Sequence, residues 1–175
     1  MSTIYIAVDF DGTVVEHKHP NIGKSVGAEP WLRMYAAKGA KLLLWTLRTS
    51  SELKAAVKWF EDRKIPLYGV NKNPDASAYA DAPKIYAQIF IDDMGYGIPL
   101  RSSYRERPCV DWSVVGPAIA TRLGISEDEQ RKALHDGAVE EVASLRAKME
   151  TVEAKLDKLM QAAQSSSEGN KKPWV

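Results

Sequence analysis

A single cysteine, Cys109, in 175 residues excludes a disulfide framework and any cysteine-based zinc site. No apolar run approaches the ~20 residues that a membrane-spanning helix requires, so none is predicted. A formal net charge of +1 gives no electrostatic footprint for nucleic acid or an anionic membrane surface. The first strand opens at residue 3, which leaves no length for a secretory leader, and a cytoplasmic setting is the expectation. The length suits one domain with an appendage and a substantial core.

Within that frame one stretch stands out, IAVDFDGTVV at residues 6–15. An apolar run ends in two carboxylates, Asp9 and Asp11, followed by Gly12 and Thr13. Side chains at i and i+2 of an extended chain point the same way, which predicts that Asp9 and Asp11 converge at the strand's C-terminal end. Open α/β sheets bind their ligands at that edge. Two acids so close repel unless a cation or a shared proton intervenes. A turn alone needs only Asp-Gly. An EF-hand calcium loop needs an oxygen ligand at its fifth position and Glu at its twelfth, which here are Thr13 and Pro20. A second apolar strand, QIFIDD at 88–93, also ends in acids, Asp92 and Asp93.

The sequence Asp9-Phe10-Asp11-Gly12-Thr13, then Thr46 closing KLLLWT, then Lys84, then Asp92-Asp93 resembles the haloacid dehalogenase (HAD) superfamily of magnesium-dependent phosphotransferases. The closer likeness, through LLLWTLR, PKIYAQIFIDD and RPCVDW, is to its small capless bacterial and phage hydrolases, over residues 3–122. The resemblance implies a Rossmann-like α/β fold with a central parallel sheet in the order 4-1-2-3. It implies Asp9 as nucleophile through an aspartyl-phosphate and Asp11 as general acid/base. Thr46 would bind a phosphoryl oxygen and Lys84 would neutralise charge, with Lys72 as the alternative lysine. Mg2+ would be held by Asp9, the backbone carbonyl of Asp11, and Asp92 or Asp93. Adjacent strand residues face opposite sides, so Asp92 is expected as the ligand and Asp93 behind it. Sixteen residues separate Thr13 from Pro30, room for a flap and too few for a cap domain.

Other residues have two readings. Arg48 would contact substrate phosphate or pair with an acid. His17 and His19 lie on the flap, where solvent exposure is the simplest expectation and a zinc pair lacks a third ligand. Trp31, Trp45, Trp59 and Trp112 read as core.

Helices are expected from Pro30 to Gly39, after a capping box Thr49–Glu52 with Leu53, Ala56, Val57 and Phe60 inward, and from Trp112 to Leu123. Strands are expected at 41–46 and 66–70. Residues 1–124 thus form the catalytic domain. Ser126–Glu129 is a further capping box, opening a helical segment 125–164. There Val142, Leu145, Met149, Val152, Leu156 and Leu159 make an a/d seam that predicts homo-oligomerisation as a coiled coil, with Glu141 facing Arg146 and Lys148 facing Glu153 of a parallel partner. Residues 165–175 read as a disordered tail.

The expected activity is a capless, Mg2+-dependent phosphohydrolase acting on a small phosphorylated substrate. Its rivals are a fold-retaining assembly or binding module and a polynucleotide end phosphatase, the latter disfavoured by the missing basic track.

Overall fold

The computed structural model describes residues 3–75, 82–102 and 107–168, and in the final helix the side chains at 140–141 and 163–168 lie outside that description. Four short strands, β1 (Tyr5–Val8), β2 (Lys41–Leu44), β3 (Gly69–Val70) and β4 (Ile89–Ile91), form a parallel sheet in the order β3-β2-β1-β4. Read from the opposite edge the order is 4-1-2-3. Ile6, Ala7 and Val8 are buried, as a strand paired on both sides and covered on both faces must be. β1 aligns Val8 with Leu44 on one side and with Ile91 on the other, so the ends of three strands meet at one edge.

The two faces of the sheet are covered differently. Ile6, Val8, Leu42, Leu44 and Ile91 belong to the main core. Its helical members come from α1 (Glu29–Ala37), α2 (Ser50–Asp62) and α3 (Trp112–Arg122). Ala7 and Leu43 instead join Ile85 in a smaller cluster bordered by Tyr5, Trp45, Tyr68 and Ala87. Among the described residues that second face is covered by a loop and tyrosine rings, where a Rossmann-like fold was expected to place helices. Trp31, Trp59 and Trp112 are buried, as the core reading requires. α3 lies close on α1 because residue 116 is glycine: a Cβ there would overlap the Trp31 indole. The Tyr35 hydroxyl donates to the Gly116 carbonyl at 2.8 Å.

Several expected elements change in detail. The Thr49–Glu52 capping box does not form: Thr49 makes no side-chain cap, and Glu52 meets His19 Nε2 at 2.8 Å. The Ser126–Glu129 box forms in both directions, Glu129 Oε2 accepting from Ser126 N–H at 2.7 Å and Ser126 Oγ from Glu129 N–H at 3.3 Å. An antiparallel hairpin, β5 (Leu100–Arg101) with β6 (Cys109–Val110), was not foreseen. α4 runs from Glu127 to Glu168, so the helix passes beyond the expected end at 164, and the rest of the expected tail lies outside the described residues.

The first compact unit extends to Leu134, and residues 135–175 form a second. The reason is the opening of α4: Ile125 and Gln130 are buried, Gln130 Nε2 donates to the Ile125 carbonyl at 2.9 Å, and Ala133 and Leu134 pack on the core. A chain cut after Leu134 should therefore melt within a degree or two of the equivalent segment in the full protein. A chain cut after Gly124 loses burial of Ile125 and its neighbours, a loss of roughly 2–3 kcal/mol. Thermal denaturation of the two truncations checks this, and equal melting temperatures would move the boundary back to Gly124.

Candidate active site

The site is built where β1 and β4 end. Asp9 follows β1, and its N–H donates to the Ile91 carbonyl at 2.9 Å, which fixes it beside the residues after β4. Carboxylate oxygens of Asp9, Asp92 and Asp93 lie within 4.8 Å of one another. Both acids after β4 reach the cluster, correcting the expectation that Asp92 and Asp93 face opposite ways. β4 ends at Ile91, so strand alternation no longer governs either side chain.

Thr13 holds the cluster in place. Fully buried, its hydroxyl donates to Asp9 Oδ2 at 3.2 Å and accepts the Asp93 N–H at 3.0 Å. Its carbonyl accepts the Trp112 indole N–H at 2.6 Å. The turn closes through Phe10, whose carbonyl receives the N–H groups of Val14 and Val15 at 2.9 and 3.1 Å. Gly12 takes φ +84°, and a Cβ there would overlap the His17 ring and lie 2.8 Å from Asp93 Cγ. Glycine is required at this position on both counts.

Burial pushes the Asp9 carboxyl up to about 7, and the charges of Asp92 and Asp93 add to the rise against hydrogen bonds from the Phe10 backbone and Thr13. Asp93 is also raised, first by burial and then by Asp92, with His17 and Arg107 opposing. Three carboxylates and no softer donor suit a hard divalent cation that keeps part of its water shell. The donor set thus fits Mg2+.

Asp11 goes elsewhere. Arg48 donates from Nε to Asp11 Oδ2 and from Nη2 to Asp11 Oδ1, both at 2.7 Å. The same guanidinium donates to the carbonyls of Pro20 at 2.9 Å and Asn21 at 2.8 Å, tying the flap to the Asp-x-Asp turn. Of the two roles open to Arg48 from sequence, this is pairing with an acid, and burial removes it from substrate. The i, i+2 alternation behind the expected convergence of Asp9 and Asp11 does not extend to them, because β1 ends at Val8, before either acid. Their carboxylates occupy two environments, one with the other acids and one against Arg48.

Thr46 lies two residues past β2 with its backbone clamped by Asn71. Its N–H donates to Asn71 Oδ1 at 2.8 Å, and Asn71 Nδ2 donates to its carbonyl at 2.9 Å. Its hydroxyl accepts the Arg48 N–H at 3.2 Å. Lys84 and Lys72 are exposed, and among the described residues neither forms an ion pair with the acids. The basic groups that act on the cluster are His17 and Arg107. His17 Nε2 lies 3.4 Å from Asp93 Oδ2 and 3.1 Å from the Pro108 carbonyl, largely shielded from solvent. This corrects the expectation that His17 is solvent-exposed: the flap seats its ring in the space that Gly12 leaves beside Asp93. Asn71 carried no local signal for the site, and Arg107 and Trp112 stood in the sequence only as the two ends of the RPCVDW likeness.

No family model matches the chain, and no curated protein does. Among solved structures, a conserved protein coded by a locus of Bacteroides thetaiotaomicron is 30% identical, with a TM-score of 0.58, over 69% of this chain and 93% of that one. The chain belongs to the family of that conserved protein.

Two predictions follow from the electrostatics. Folding raises the Asp9 pKa above its unfolded value of 3.8, so the folded state holds the proton longer. Stability of the metal-free protein should then fall as pH rises from about 4 to 7, by at most roughly 4 kcal/mol. Asp9→Asn should flatten that decline, and Mg2+ should raise the melting temperature of wild type at pH 8 but not of Asp9→Asn. A pH-independent wild-type melting curve would contradict the assignment. Arg48→Ala leaves a half-buried carboxylate and two flap carbonyls without their donor, a loss on the order of 3 kcal/mol. Urea denaturation measures it, and a loss under about 1 kcal/mol would place Arg48 among surface ion pairs.

Proposed function

We propose that this protein is a divalent-metal-dependent phosphohydrolase that cleaves a small phosphomonoester through an aspartyl-phosphate on Asp9. The observation that carries this reading is the Asp9, Asp92 and Asp93 cluster at the C-terminal edge of a parallel sheet, with Asp9 half-buried and hydrogen-bonded to Thr13. The HAD-like order of Asp9-Phe10-Asp11-Gly12-Thr13, Thr46 and Asp92-Asp93 supports it. Held by the three carboxylates, Mg2+ would supply the positive charge that keeps Asp9 ionised and balances the phosphoryl oxygens.

In the first step a carboxylate oxygen of Asp9 bonds to phosphorus as the ester P–O bond breaks, and the leaving oxygen takes a proton from Asp11. In the second, water attacks the same phosphorus, gives its proton to Asp11 and frees phosphate and Asp9. Both Asp11 oxygens are engaged by Arg48, so proton transfer requires one of these hydrogen bonds to open. Thr46 is the candidate donor to a phosphoryl oxygen. Lys84 would need to swing in from the surface for the charge-neutralising role, and Arg107, whose charge acts on Asp93, is a second candidate for it.

The test is a panel of phosphorylated metabolites with wild type and Asp9→Asn. Wild type should turn over at least one substrate with Mg2+, lose activity to chelator and recover it with Mg2+, while Ca2+ serves poorly. Asp9→Asn should lose at least roughly 10³-fold in kcat, since an amide cannot form the acyl-phosphate. Full activity in folded Asp9→Asn, or rescue by zinc alone, would sink the mechanism.

A further inference from the structure

At Leu134 the apolar residues of α4 change partner. Ala133 and Leu134 pack on the core of the first unit. In the second unit Val142, Leu145, Met149, Val152, Leu156 and Leu159 are all large, apolar and 48–68% exposed. Their spacing alternates three and four, which keeps them on a single narrow stripe of the helix and fits a coiled-coil seam. A continuous exposed apolar stripe of this kind marks an interaction surface.

We propose that this face binds a second copy of the same chain as a parallel, in-register coiled coil. The argument for a second copy is charge complementarity with itself. With Val142, Met149 and Leu156 at a and Leu145, Val152 and Leu159 at d, the residues preceding a are Glu141, Lys148 and Lys155, and those following d are Arg146, Glu153 and Met160. In a parallel pair each residue before a meets the residue five places further along the partner. Position 141 then meets 146, Glu against Arg, and 148 meets 153, Lys against Glu. Every charged pair is opposite in sign, and twofold symmetry repeats each one. An antiparallel pair would keep Arg146 against Glu153 but set Lys148 against Lys155, so its attractive pairs are offset by repulsive ones where the parallel pair has none. The seam spans residues 142–159, so the interface lies wholly within the second unit.

Light scattering of the full chain should give about twice the 19.4 kDa chain mass. A monomer at high concentration, or a trimeric or tetrameric mass, overturns the proposal. The variant Leu145→Glu/Leu156→Glu buries charge in the seam and should run as a monomer, and a persisting dimer would place the interface elsewhere. Orientation has its own readout. Lys148→Glu should weaken the dimer about tenfold through two new repulsive pairs, and Lys148→Glu/Glu153→Lys should restore it. A single variant that leaves the dimer unchanged or tightens it, or a double variant that fails to recover it, overturns the parallel register.

Discussion

Three carboxylates held within 4.8 Å at the end of a parallel sheet impose the constraint on which the rest of this site depends. Coulombic repulsion and burial both work against them, and the rise in the Asp9 pKa records the cost. Thr13 ties the acids together. Its hydroxyl has one hydrogen to give Asp9 and lone pairs to receive the Asp93 N–H, so one buried atom links the β1 and β4 ends. The Trp112 indole fixes the same residue through its carbonyl. The start of α3 is therefore coupled to the acids, whose mutual repulsion a cation would offset.

The second constraint is the division of labour between Asp9 and Asp11. A carboxylate gripped by both arms of a buried guanidinium differs chemically from one crowded by acids. The first is held in orientation with both oxygens engaged, and the second has reason to bind a cation. Since Arg48 also donates to the flap carbonyls of Pro20 and Asn21, the placement of Asp11 and that of the flap are one structural event. This links residues 9–13, residues 20–21 and the loop after β2 into a single support.

Much of the fold was legible from residues whose neighbours in sequence are also their partners in space. The apolar runs ending in Asp9 and Asp92 marked the strands, and Ser126–Glu129 marked a helix start because the two caps lie three residues apart. The same pattern at Thr49–Glu52 misled, since His19 from the flap captured Glu52. Periodicity also misled when carried past a strand's end. The alternation that governs Ile6, Ala7 and Val8 says nothing about Asp9 and Asp11, or about Asp92 and Asp93, which leave the sheet before their side chains are set.

By itself the sequence determined the four strands of the parallel sheet, their acid-bearing ends and the apolar stripe of α4, because each is written in short-range spacing and residue type. Only the tertiary structure decided which acids meet, that Arg48 takes Asp11, that His17 fills the space left by Gly12, and that the first compact unit closes at Leu134. Most of those outcomes join residues separated by tens of positions, and the contact between Thr13 and Trp112 that supports them spans 99. Which of several available partners a charged or polar group takes is set by the packing that surrounds it.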